Sequence, residues 1–190
     1  MAGNTTNEFS GSIFAENEEE LRAKAEEIFG EDVDKFLAFE EVKTKKDGGY
    51  GTVSVIEGAA KALFLKHEEQ GYPEGFYYRF GPDIPGWDNP GAFHSIDLWF
   101  FFETLGMCWR PFTGRHYDLA RQMCNYWTNF MKTGNPNGED ADGTMMPQWD
   151  SYKKDAKNEM IFDSEGAHPE VEEDEFIQFM VKKIQKDLTY

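Results

Sequence analysis

The stretch Thr113–Lys132 limits the folds open to this chain more than any other. Leu119, Met123, Tyr126, Trp127 and Phe130 recur at helical spacing, and Ala120, Cys124 and Met131 widen the stripe. Gly134-Asn135-Pro136-Asn137-Gly138 then stops the helix. A helix apolar over that much of its circumference is expected to be largely buried, so the rest of the chain must supply the surface that covers it. With 17 Phe, 8 Tyr and 5 Trp among 190 residues, the composition provides such a core.

Other segments are read from their periodicity and punctuation. Met1–Ser12 is small and polar and is expected as a loop. Asn17 with Glu20 resembles a capping box and starts a helix bearing Leu21, Ala25, Ile28 and Phe29, which Gly30 ends. Val33, Phe36 and Leu37 form a short second helix. Asp47–Gly51 is a flexible connection to a third helix, Ile56 to His67, closed by Gly71 and Pro73. Phe76–Phe80 is the clearest strand, Met160–Phe162 a brief one. The apolar run Leu98–Phe102 predicts a buried helix, 139–143 a mobile acidic loop, and 170–190 an amphipathic C-terminal helix with Phe176, Met180, Ile184 and Leu188 on its face. Two isolated strands do not make a stable sheet, so strands from elsewhere are required. The expected class is α/β, mostly helical with few strands, in one partial domain over 1–190.

The net charge of −17 repels nucleic acid and anionic membranes, which excludes both as partners. No apolar stretch approaches the ~20 residues that cross a bilayer. The first residues are neither basic nor apolar, and no solenoid period is present. Cys108 and Cys124 have no paired spacing, so a reducing, cytoplasmic setting is expected. His67, His94, His116 and His168 lack metal-ligand spacing, and no metal or cofactor is expected. Asp140-Ala141-Asp142-Gly143 lacks the later glutamate of a calcium loop.

One histidine stands apart. The Pro-, Gly- and Asn-rich turn Pro85–Gly91 delivers His94 to the start of the Leu98–Phe102 run, a place where a general base can be held in one orientation. Gly91-Ala92-Phe93-His94, Asp97, Leu98 and Phe101-Phe102 resemble the catalytic-histidine segment of the type B carboxylesterases, the cholinesterase and para-nitrobenzyl esterase branch of the α/β-hydrolases. Tyr126-Trp127-Thr128-Asn129-Phe130-Met131-Lys132-Thr133-Gly134-Asn135-Pro136-Asn137 is similar to that family's YW-NFAKTGNPN helix end. Trp149-Asp150-Ser151-Tyr152 resembles the following segment, with its proline replaced. Gly3-Asn4-Thr5-Thr6-Asn7-Glu8 resembles the turn that carries the triad acid, and His94 follows Glu8 by 86 residues, as in the family.

The resemblance implies that His94 is the general base and Glu8 the acid that orients it. Ser95 stands where the family usually has Gly or Ala, and Asp97 where it has Glu. The nucleophile elbow G-x-S-x-G and a His-Gly-Gly stretch for the oxyanion hole do not occur in these 190 residues. Ser10, Ser12, Ser54, Ser95, Ser151 and Ser164 occupy no elbow-like setting. The expectation is the C-terminal portion of a carboxylic-ester hydrolase, cut just before its triad acid and inactive alone. It requires no cofactor, and its partners would be an N-terminal carboxylesterase chain and a small ester substrate. The alternative is a non-catalytic, self-associating binding module. In both cases the Trp99–Phe102 region and the Phe76–Phe80 edge are expected to lie exposed in a monomer, and a homodimer or larger assembly to cover them.

Overall fold

The aromatic strand forms where the sequence places it, but it is not an edge. The computed structural model describes residues 1–8, 10–45 and 49–187, and within these the side chains of 10–12 and 52–55 are not among those described. Strands β1 (Ala2–Thr5), β2 (Ser10–Phe14), β3 (Gly49–Ser54), β4 (Tyr77–Phe80), β5 (Tyr152–Lys153), β6 (Ala156–Asp163) and β7 (Gly166–Val171) are interspersed with helices. These are α1 (Glu18–Phe29), α2 (Val33–Ala38), α3 (Glu40–Lys43), α4 (Val55–Glu69), α5 (Asp97–Phe101), α6 (Gly114–Thr133) and α7 (Glu175–Asp187). The chain divides into two compact units. One is Met1–Glu8 with Phe64–Glu172, and the other Phe9–Leu63 with Glu173–Tyr190.

In the first unit β4 lies between β1 and β6, parallel to both. β7 and β5 pair antiparallel with β6, which makes a five-stranded sheet. The expectation of two lone strands and an open Phe76–Phe80 edge is therefore corrected. β1 carries no apolar signal in the sequence. Its buried residues are Asn4 and Thr5; Asn4 Oδ1 accepts from the buried Tyr77 hydroxyl while Asn4 Nδ2 donates to the Thr5 carbonyl. Buried polar groups are tolerated once they are hydrogen-bonded.

The core of this unit is aromatic. Trp149 is fully buried against Phe76, Tyr78, Tyr126, Trp127 and Phe162, and its Nε1 donates to the Tyr77 carbonyl at 3.1 Å. Helix α6 presents Leu119, Ala120, Met123 and Tyr126 to that core. Gly134 ends it in the left-handed conformation at φ 77°, its N–H bonded to the Phe130 carbonyl. The stop then serves packing: Asn137 brackets the Trp149 backbone, its Oδ1 accepting from the N–H at 2.7 Å and its Nδ2 donating to the carbonyl at 2.8 Å. Two apolar assignments are corrected. Met131 is 72% exposed, and in the Leu98–Phe102 run only Phe100 and Phe101 are buried, while Leu98 and Phe102 face outward. Within 139–143, expected to be mobile, Asp140 is buried and held by Arg121 and Asn125.

The second unit packs α1, α2 and α7 around phenylalanines. Phe36 stacks on Phe29 with centroids 4.1 Å apart and meets Phe176 and Phe179. Asn17 caps α1, accepting from the Glu20 N–H at 2.9 Å, and Leu21, Ala25 and Phe29 are buried as expected, whereas Ile28 is exposed. Met1–Ser12 is not a loop. Besides β1 it contributes the start of β2, which pairs antiparallel with β3. The flexible connection at Asp47–Gly51 is partly strand, because β3 begins at Gly49; 46–48 lie outside the described residues. The last helix begins at Glu175, with Asp174 Oδ1 accepting from the Phe176 and Ile177 N–H groups. Pro169 to Val171 instead complete the β6–β7 hairpin, where antiparallel pairing overrides the acidic helix-start signal. Leu188 lies outside the described residues. Among these residues no helix is long and apolar enough to cross a membrane.

Candidate active site

The end of β1 and the Pro85–Ser95 loop meet through Asn7. Its N–H donates to the Ala92 carbonyl at 3.1 Å, and its Oδ1 accepts from the Ala92 N–H at 3.0 Å. Gly91 makes this latch possible: at φ 61°, an added Cβ would lie 2.5 Å from Asn7 Oδ1. The consequence is register. With residue 7 fixed to residue 92, residue 8 faces residue 94.

Glu8 Oε2 lies 2.5 Å from His94 Nδ1. The Glu8 side chain is 6% exposed and that of His94 46%. Its other oxygen, Oε1, accepts from the Thr5 N–H at 3.3 Å, which fixes the carboxylate from the strand side. A carboxylate on Nδ1 sets the tautomer and leaves Nε2 as the atom with which the ring exchanges a proton with a substrate or nucleophile. A buried acid keeps its orientation, and a partly exposed base can reach the proton it must move. The two residues singled out from the sequence are thus brought together.

Behind them lies a second carboxyl that spacing alone did not reveal as part of the group. Asp97 opens α5, is buried, and accepts from the Tyr78 hydroxyl at 2.7 Å. Burial pushes its carboxyl above the ordinary aspartate range; the Tyr78 hydrogen bond opposes this, and the nearby Glu8 charge adds to it. Burial, with the Asp97 and Glu8 carboxylates, drives the Tyr78 hydroxyl far above the usual phenol range. The sequence signal for this pair was available: Tyr78 is an inward position of the aromatic strand, and Asp97 an acid at the head of an apolar run.

Ser95 has φ 68°, a left-handed conformation that glycine adopts without strain. That explains why a small residue suits the position after the histidine. Ser151 is buried, and Ser164 Oγ accepts from the Asp83 N–H at 2.8 Å. The side chains of Ser10, Ser12 and Ser54 are not among those described. His116 is structural: its Nδ1 accepts from the Thr113 N–H at 3.0 Å at the head of α6, and Nε2 donates to the Asp83 carbonyl. His67 packs edge-on to Tyr72, and His168 lies beside Glu170 and Asp163. Among the described residues no cluster of His, Cys, Asp or Glu could hold a metal ion.

This geometry invites comparison with known proteins. A model of the Carboxylesterase family matches residues 2–180. The chain belongs to that family. Carboxylesterase 4A of Bos taurus is 34% identical over 120 residues, which cover 54% of this chain and 20% of that protein. An esterase from Clostridium hathewayi, described as able to hydrolyse aliphatic aromatic polyesters, superposes with a TM-score of 0.59 at 22% identity over 98% of this chain and 37% of its own. A thermophilic PNB esterase does so with a TM-score of 0.59 at 23% identity, over 94% of this chain and 37% of its own. The fold is accordingly a partial α/β-hydrolase fold. This carboxylesterase-family chain spans 15–20% of the length of the curated relatives it matches.

Proposed function

We propose that this chain is the acid–base portion of a carboxylic-ester hydrolase. In the reading we favour, His94 takes the proton of a serine hydroxyl from outside these 190 residues as that oxygen attacks the ester carbonyl, then returns it to the departing alkoxide. Glu8 holds the imidazole in the productive tautomer and stabilises the imidazolium formed between those steps. Water then attacks the acyl carbon as His94 takes its proton, and His94 returns that proton to the serine oxygen as the acyl–serine bond breaks and the acid product leaves. The observation that carries this reading is the 2.5 Å contact between a buried carboxylate and a half-exposed imidazole. Asp97 and Tyr78 support it by filling the space behind Glu8 with a closed hydrogen bond. The partner would be an N-terminal carboxylesterase chain bearing the G-x-S-x-G elbow and oxyanion donors, and the setting cytoplasmic.

The test is complementation. Mixed with the N-terminal portion of a family member that ends before its triad acid, this chain should produce hydrolysis of p-nitrophenyl butyrate. His94→Ala should reduce that rate by about 10³-fold or more, and Glu8→Gln by a smaller factor. A complemented rate indifferent to His94 would sink the proposal.

A second reading, a non-catalytic self-associating module, is favoured by one observation: Trp87, Phe102 and Met107 are each more than two-thirds exposed. It predicts a dimer or larger species in sedimentation equilibrium, and a clean monomer would remove it.

A further inference from the structure

A base that must meet Glu8 at 2.5 Å needs a rigid loop, yet the loop before His94 is built from backbone that resists order. Gly86 has φ 155°, Asn89 42°, Gly91 61° and Ser95 68°. Asn89 and Ser95 occupy a region that side chains avoid, and such residues persist where their surroundings over-determine them. Asn7 secures the far end of the loop, at Ala92. The near end has a different anchor, and it comes from outside the loop.

Arg110 is 9% exposed and aims its guanidinium into the loop. Nη1 donates to the Pro85 carbonyl at 3.0 Å and to Asp88 Oδ1 at 2.9 Å, and Nη2 donates to Asp88 Oδ2 at 2.8 Å. The same group lies 5.5 Å from the centre of the Phe93 ring, the residue before His94, and 4.7 Å from that of Trp109. Gly86 is shaped to it, since a Cβ there would come 2.5 Å from Nη1. A planar fork bonds two carboxylate oxygens and a carbonyl while lying against a ring; a lysine ammonium has no such plane.

We propose that Arg110, with Asp88, is a positioning residue for His94, a clamp spanning Pro85 to Phe93 that holds the imidazole in register with Glu8. The clamp rests on the reading of His94 as the base, but its test does not depend on turnover. The readout is the His94 Nδ1–H proton, a downfield imidazole resonance of the free full chain, assigned by its loss in His94→Ala.

In Arg110→Lys the resonance should shift, and its exchange with water should quicken by about tenfold or more, the signature of local opening. The Ala92 amide should lose protection with it. Asp88→Asn, which keeps Arg110 and half of the fork, should show a smaller change in the same direction. Arg121→Ala, which removes a comparable fork to Asp140 elsewhere in the same unit, should leave the resonance where it was.

An unchanged resonance in folded Arg110→Lys overturns the clamp, as does an equal change in Arg121→Ala, which would mark general loosening. If Arg110→Lys does not fold, Asp88→Asn decides, and an unmoved resonance there overturns it. Failed complementation with an Arg110-sensitive resonance removes the enzymatic reading and leaves the clamp. A wild-type chain without the resonance removes the Glu8–His94 pair and the clamp together.

Discussion

The two units spend their polar residues differently. In the unit holding Glu8 and His94, buried charges each fix a local geometry, as Arg110 does with Asp88, Asp140 with Arg121, and Asp97 with Tyr78. In the other unit, Arg22 with Asp34 and Lys24 with Glu20 lie at the surface, and the buried pair Lys61 with Glu57 joins two turns of the single helix α4 rather than separate segments. Both units have aromatic cores. The first also uses its core to aim polar side chains, and a buried polar contact made for aim is intolerant of small change. The difference also supplies a tool, because all five tryptophans lie in the first unit and fluorescence therefore reports on it alone.

The largest effect expected is on the first core. Phe162 is fully buried against Tyr78, Tyr126 and Trp149, so Phe162→Ala should cost about 3–5 kcal/mol in denaturant unfolding followed by tryptophan fluorescence. Phe36→Ala should cost a similar amount in far-UV dichroism while leaving the fluorescence transition in place; a shared shift would dissolve the distinction between the units.

Next comes Asp140. Burial alone would raise its carboxyl, but Arg121, the Ala141 N–H and Asn125 together hold it below the ordinary value of 3.8. Its pKa is lower folded than unfolded, so its stabilisation is complete above the unfolded value and drains away as the pH falls through the folded one. Asp97 runs the other way: raised on folding, it lowers stability as the pH climbs from 3.8 through its folded value. Asp140→Asn should cost about 1–3 kcal/mol at neutral pH and flatten the acid limb of the fluorescence-monitored stability profile.

Smaller still is Ser95→Gly, which relieves a left-handed backbone and should change stability by about 1 kcal/mol or less, in the stabilising direction, in the same fluorescence transition. Arg22→Ala, at an exposed pair, should leave the dichroism transition where it was.

The helices were legible because periodicity and caps are local: Asn17, Gly30 and Gly134 act where the sequence puts them. Of the strands, Phe76–Phe80 and Met160–Phe162 were legible from their apolar residues, but β1, β3 and β7 were not, for reasons visible in their residues. β1 is four residues long and buries Asn4 and Thr5 rather than aliphatics. β3 starts in a glycine-rich stretch, and β7 carries Pro169 and Glu170. Each is defined by its neighbour rather than by its own pattern. At the site, His94 was singled out by the turn that delivers it, but its role and Glu8 were found only through resemblance to known motifs, since a lone loop glutamate is commonplace. Asn7 and Arg110 stayed hidden because what they do depends on contacts between residues 22 to 85 positions apart.

In the proposed function, Glu8 and His94 serve as acid and base for a serine outside these 190 residues. The most direct measurement is hydrolysis of p-nitrophenyl butyrate by the purified chain alone. The rate expected is equal to that of His94→Ala. A clear His94-dependent rate, with a stoichiometric burst of p-nitrophenol marking an acylated residue of this chain, would contradict the assignment.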